Sequence, residues 1–108
     1  MSVNQLSQLD RRHAAFNIRA ALKEPMTRDT NGHIDSQAIH GHFTDTSHVF
    51  GGRHPAVAGL KAAWSDARTS RDAGRAGSPG TEFEFAKRAQ GGIDTAIKAL
   101  TEIVRGRA

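Results

Sequence analysis

The chain contains no cysteine. That absence excludes disulfides and thiolate chemistry, and it leaves the redox compartment undetermined. No apolar run approaches the ~20 residues that a membrane span needs, so no membrane partner is expected. The first residues, Met1 to Leu6, have neither a basic start nor an apolar core and do not read as a cleaved secretory signal. A cytoplasmic setting is the expectation, although export by a dedicated secretion machine would leave no legible mark. Hydrophobic residues are scarce at 37%, with a mean hydropathy of −0.53, which predicts that part of the chain is loop. Tryptophan occurs once, at Trp64, and is expected to fill the core rather than stack on a base. No internal repeat and no known family pattern stand out, and nothing implies a cofactor.

What is present starts with size and charge. A length of 108 residues suits one domain, 1–108, with a modest core. The net charge is +4, and eleven of the fifteen basic residues are arginine, the residue better suited to phosphate and carboxylate recognition. Ala and Gly are also abundant, and a GC-rich genome enriches all three without functional demand. The charge is therefore compatible with an anionic partner and does not establish one.

The clearest pattern runs from Thr81 to Arg105. Phe83, Ala86, Gln90, Ile93, Ile97, Leu100 and Val104 recur at three- and four-residue steps, with Phe85, Ala89, Gly92, Ala96, Ala99 and Ile103 as a second row beside them. The apolar arc exceeds the ~100° stripe of a surface helix and predicts a helix over 81–105, capped by Thr81 and about 37 Å long. A first helix is expected over 4–23, ended by Pro25, with Leu6, Leu9, Phe16, Ala20 and Leu22 inward and His13 between them. Pro55 opens a third pattern, Val57, Leu60, Trp64 and Ala67, over 55–71. Residues 73–80 read as a flexible connector with three Gly and one Pro. Between Met26 and His54 the pattern dissolves. Asp29–Gly32 is turn chemistry, a short helix fits 35–43 although Gly41 weakens it, and Thr44–Gly52 reads as loop. The predicted fold is all-α: a small bundle of three main helices plus a short one, with a long irregular region, 26–54, in the first half. Leu60, Trp64, Ile93, Ile97 and Leu100 are the expected core.

Five of the six histidines, His33, His40, His42, His48 and His54, fall within 22 residues. An extended His40-Gly-His42 segment would put two imidazoles on one side, with His48, Asp35 or Asp45 completing a set. Their spacing matches no recognised metal site, and no metal is expected. Residues Thr27–Ala38 resemble a calcium loop only in part, since Thr27 and Ala38 stand where two ligands belong. Phe50-Gly51-Gly52-Arg53-His54-Pro55 leads into a helix start, where Arg53 and the amides of Ala56 and Val57 would suit an anion. It is not a P-loop, because no Gly-Lys-Ser/Thr follows. No catalytic set stands out: Ser47 and His48 are only sequence neighbours, and Glu82 and Glu84 suit a helix first turn.

The expected function is a non-enzymatic helical module that binds another macromolecule, with a protein as the first choice of partner. The row Ala89, Gly92, Ala96 and Ala99 would admit a helix from a partner or from a second copy, giving self-association through the C-terminal helix. The alternative is nucleic-acid binding through Arg11, Arg12 and Arg19 on the first helix with Lys61, Arg68, Arg71 and Arg75 on the third. A metal-dependent enzyme using the His-rich stretch is the third reading.

Overall fold

A computed structural model describes residues 7–24, 28 and 33–106. The described chain is all-helical, with α1 at Gln8–Lys23, α2 at Ser36–Phe50, α3 at Pro55–Arg75 and α4 at Pro79–Val104. The only β pairing among the described residues is a single antiparallel bridge between Arg28 and Ile34. The turn expected at 29–32 lies outside the described residues, as does Thr27 at the start of the calcium-like segment.

Each helix starts and stops for a local reason. The Ser7 hydroxyl accepts from the Asp10 amide at 3.0 Å and opens α1. Glu24 ends it in an extended conformation, as the residue before a proline must. Asp35 caps α2 by accepting from Gln37 and Ala38 at 3.0 and 3.3 Å. The helix then runs through the expected loop as far as Gly51, whose φ of 89° stops it. Two hydroxyls that could have favoured a turn are satisfied within the helix: Thr44 donates to the His40 carbonyl and Thr46 to that of His42. The ~1 kcal/mol that Gly41 costs a helix is offset by burial of Ile39 and Thr46, both fully enclosed.

The connector at 73–80 is likewise a correction. Helix α3 continues to Arg75, and three residues turn the chain. Ser78 donates to the Ala73 carbonyl and Gly77, with φ of 75°, to that of Gly74, a Schellman arrangement that fixes a tight turn in place of a flexible link. Helix α4 therefore begins at Pro79, two residues ahead of Thr81, and Ser78 at its cap makes no side-chain bond.

The helices form a ring in which α3 packs most extensively on α4, α2 on α3, α1 on α4, and α1 lightly on α2, while α1 and α3 are not neighbours. One core cluster draws Ala15 and Leu22 from α1, Ile39 from α2, Ala56, Leu60 and Ala63 from α3, and Ile93, Ala96, Leu100 and Ile103 from α4. At its centre α3 and α4 touch through small residues. A Cβ on Gly92 would stand 2.6 Å from the Gly59 carbonyl oxygen, and one on Gly59 would stand 2.7 Å from that of Gly92. Neither position admits a side chain unless the helices separate.

Leu60, Ile93 and Leu100 are buried as expected, whereas Trp64 and Ile97 are only half-buried at the margin of the cluster. Leu9, Phe16 and Phe83 are exposed, at 59, 52 and 65%, which corrects their inward assignment. On α1 the inward row is Arg11, Ala15, Ile18 and Leu22, so Leu9, His13, Phe16 and Ala20 face solvent on the opposite side. The molecule extends 48 × 21 × 20 Å.

Candidate functional site

Length mismatch opens a broad concavity. Helix α4 has 26 residues and α1 has 16, so α4 is ~15 Å longer. The hydrogen bonds from α1 to α4 fall at Thr101 and Val104, near the C-terminal end of α4. Toward its N-terminal end, α4 and the last turns of α3 enclose a groove of about 820 Å³ with the start of α2 and the Arg28–Ile34 bridge, and no α1 residue lines it. That volume lies within the range of ligand-binding clefts, ~300–1,000 Å³.

Arg28, His33, Arg71, Arg75 and Lys87 line the groove, against two carboxylates, Asp35 and Glu82. Ile34, Ala67, Phe83 and Ala86 supply apolar wall. The carboxylates are largely committed. One Asp35 oxygen caps α2, and the Glu82 carboxylate occupies the space over Gly74 that a side chain there would fill. Helix α4 is held to α3 nearby, where the Ser70 hydroxyl donates to the Glu82 carbonyl at 2.8 Å.

The cations are less committed. Arg71 reaches Asp72 at 3.3 Å and the Ser36 hydroxyl at 3.5 Å, both weak at that exposure. Arg75 has no ion pair among the described residues, and Lys87 lies 5.5 Å from the centroid of the Phe83 ring. Arg28 is half-buried, and its Nη2 donates to Oε1 of Gln90. The Gln90 amide nitrogen in turn donates to Asp94 at 2.8 Å, which turns its oxygen toward Arg28. The other terminal nitrogen of Arg28, Nη1, is buried and has no hydrogen-bond partner among the described residues. A buried, unsatisfied polar group costs about 1–3 kcal/mol, and more when charged, so an acceptor arriving there would be well rewarded.

The residues singled out from sequence are mostly engaged elsewhere. Ala89 and Ala96 are fully buried, Gly92 and Ala96 lie against Gly59 of α3, and Ala99 packs on the core partly exposed, so the row belongs mainly to the interior of the fold. The arginines of α1 are tied within the chain. Arg11 lies 5.5 Å from the Phe50 ring, Arg12 Nε donates to the Val104 carbonyl at 3.1 Å, and Arg19 donates to Thr101 Oγ1 at 3.3 Å. Because α1 and α3 are not neighbours, they do not pool their charge into one face. On α3, Lys61, Arg68 and Arg75 are exposed at seven-residue steps, which places them on one stripe. Arg68 lies 5.1 Å from the Trp64 ring, which also meets His40 at 4.7 Å.

The anion site at Arg53 is corrected. Arg53 is exposed, but the two amides expected to bind are occupied: that of Ala56 donates to His54 Nδ1 at 3.1 Å, and that of Val57 to the His54 carbonyl at 3.0 Å. Burial, with Arg11 nearby, holds the His54 imidazole below its ordinary pKa and keeps the cap unprotonated.

The histidines separate because α2 is a helix and not an extended strand. His40 and His42 point roughly 200° apart around its axis, and no cluster of three or more His, Asp or Glu suited to a metal occurs among the described residues. Burial lowers the pKa of His42, opposed by Asp45.

Arg28 and Lys87 were not flagged by sequence, and Phe83 was assigned inward. Phe83 lies roughly 120° around α4 from the centre of the buried residues Ala89, Ile93, Ala96, Leu100 and Ile103, close in phase to exposed Asp94, so it stands at the margin of the apolar arc and not within it. No helix among the described residues is long and apolar enough to cross a membrane. No protein-family model, curated protein or solved structure matches this chain.

Proposed function

We propose that this chain is a non-enzymatic helical module that binds a segment of another protein in the groove between the start of α2, the end of α3 and the start of α4. The observation that carries the reading is the pairing of an open aromatic, Phe83, with the buried and unpartnered Nη1 of Arg28 in one concavity. Aromatic and arginine side chains anchor protein interfaces more often than other residues. Both groove carboxylates are held in structural roles, which favours binding over proton transfer. The setting proposed is the cytoplasm, or the target of a dedicated export machine. Self-association through Ala89, Gly92, Ala96 and Ala99 has no place in this reading, because the centre of that row, Gly92 and Ala96, lies against α3.

A second reading, nucleic-acid binding, is favoured by the exposed stripe Lys61, Arg68 and Arg75, which spans ~21 Å and ends in the groove. It draws no help from α1. One experiment separates the two. A photoactivatable phenylalanine analogue is placed at position 83, or at Lys98 as a control, and cross-linked in host extract with and without nuclease. Protein adducts specific to position 83 that survive nuclease are expected. Adducts that vanish with nuclease would transfer the assignment to nucleic acid, and equal labelling at 83 and 98 would remove the groove from consideration.

A further inference from the structure

We propose that the groove receives a carboxylate side chain of an acidic peptide segment, with Arg28 Nη1 as its primary donor and a neighbouring apolar residue of the segment against Phe83. The proposal rests on the reading of the groove as a protein-binding site and adds the chemistry of the occupant.

Three observations converge on it. The first is the state of Arg28. One terminal nitrogen is spent on Gln90, and the other is buried with nothing to donate to among the described residues. Gln90 is oriented by Asp94, so a neutral amide stands where an internal carboxylate would have quenched the guanidinium. The charge of Arg28 is thus positioned and left available. A charged acceptor suits it, since hydrogen bonds between ionised partners are shorter and stronger than neutral ones.

The second observation is the balance of charge. Arg71, Arg75 and Lys87 join Arg28, but Asp35 and Glu82 share the wall. The excess of positive charge is modest. A polyphosphate backbone would bring several negative charges past those carboxylates, and like-charge juxtaposition opposes this. One or two carboxylates spaced along a peptide meet the cations without that conflict.

The third is the apolar wall. Phe83 is 65% exposed and Ile34 lies in the same groove. A free inorganic anion would leave that surface wet, whereas a peptide carrying an apolar residue next to its acid would cover it.

The test uses the full chain and two synthetic peptides, N-acetyl-Leu-Glu-Leu-Asp-amide and its Gln/Asn counterpart, with inorganic phosphate and a single-stranded oligonucleotide as further probes, all at matched ionic strength. Binding is followed by nuclear magnetic resonance of backbone amides and arginine side chains. The acidic peptide should saturate shifts at Arg28, Lys87 and Phe83 and bind about tenfold or more tightly than the amide peptide. Arg28→Gln should abolish most of that preference. Because Arg28 also forms the bridge to Ile34, Gln90→Glu provides an independent variant: an internal carboxylate on Arg28 should lower peptide affinity while the fold is retained. Lys98→Gln, about three turns along α4 from Lys87 and outside the groove lining, should change nothing. Equal binding of acidic and amide peptides overturns the carboxylate assignment. Phosphate producing the same shifts with no benefit from the leucines overturns the peptide assignment, and tighter binding of the oligonucleotide overturns both. If position 83 still cross-links to protein while both peptides fail, the carboxylate proposal falls and the protein-binding reading survives.

Discussion

At the scale of single residues, the small side chains of α3 and α4 set the packing more than the large ones do. The row Ala89, Gly92, Ala96 and Ala99 was legible in the sequence as a place for close helix approach. Which helix would approach it was not, because nothing local in α4 distinguishes an internal partner from a foreign one. The answer lies in Gly59, whose carbonyl oxygen would stand 2.6 Å from a Cβ at Gly92. Gly92→Ala should therefore push α3 and α4 apart and cost about 1–3 kcal/mol, as overpacking does. Gly41 lies mid-helix in α2 with open space around its Cβ position, and Gly41→Ala should stabilise by about 0.5–1 kcal/mol. Urea unfolding of the two variants checks both signs. A neutral Gly92→Ala would mean that the helices do not meet at this point.

At the scale of elements, α3 and α4 were readable because their apolar periodicity is sustained, and for α3 a proline also marked the start. Helix α2 was not, since Gly41 and its threonines and histidines imitate a loop, and the hydroxyl bonds that make Thr44 and Thr46 compatible with a helix depend on the helix already existing. Helix α3 shows the reverse case, in which an unremarkable histidine becomes the cap. His54 Nδ1 accepts the Ala56 amide, its ring lies 5.2 Å from Phe50, and Arg11 lies over the other end of this cluster. Its pKa is lowered by burial and then by Arg11, and that of His42 by burial against the pull of Asp45. Both groups resist protonation when folded, so the unfolded chain binds more protons once the pH drops below about 6.5. The stability they support is complete above that value and is lost as the pH falls through the lower folded values. Protonation of His54 would also place a donor and a positive charge at a helix N-terminus, where both are unfavourable. Stability should fall from pH 7.5 to pH 5, and His54→Asn, which keeps a capping acceptor without the titration, should flatten the slope. Denaturant midpoints at each pH measure this. A slope that His54→Asn leaves unchanged would assign it to His42 or to other groups.

At the scale of the whole molecule, the groove follows from a mismatch that no single residue records. The sequence spacing identified a long last helix and a shorter first one, yet the consequence appears only when α1 is docked at the C-terminal end of α4 through Arg12 and Arg19. The middle of α4 then has α3 against it and carries Ala89, Ile93, Ala96 and Leu100, all fully buried. Its first turns carry Phe83 in the open and Glu82 and Ala86 on the groove wall. Local stability follows buried contact, so opening should be easier at the groove end than at the centre. Hydrogen exchange should accordingly be slowest for amides between Ala89 and Leu100 and markedly faster between Phe83 and Lys87. The carboxylate proposal adds a directional consequence. An acidic peptide seated on Arg28 and Phe83 should slow exchange in Phe83–Lys87 and around Ile34, because a ligand that binds only the closed form stabilises it by mass action. It should leave the end held by Arg12 and Val104 unchanged. Uniform protection along α4 without peptide would contradict the length-mismatch account of the groove. Peptide-induced slowing confined to the Val104 end would place the binding surface at α1 instead.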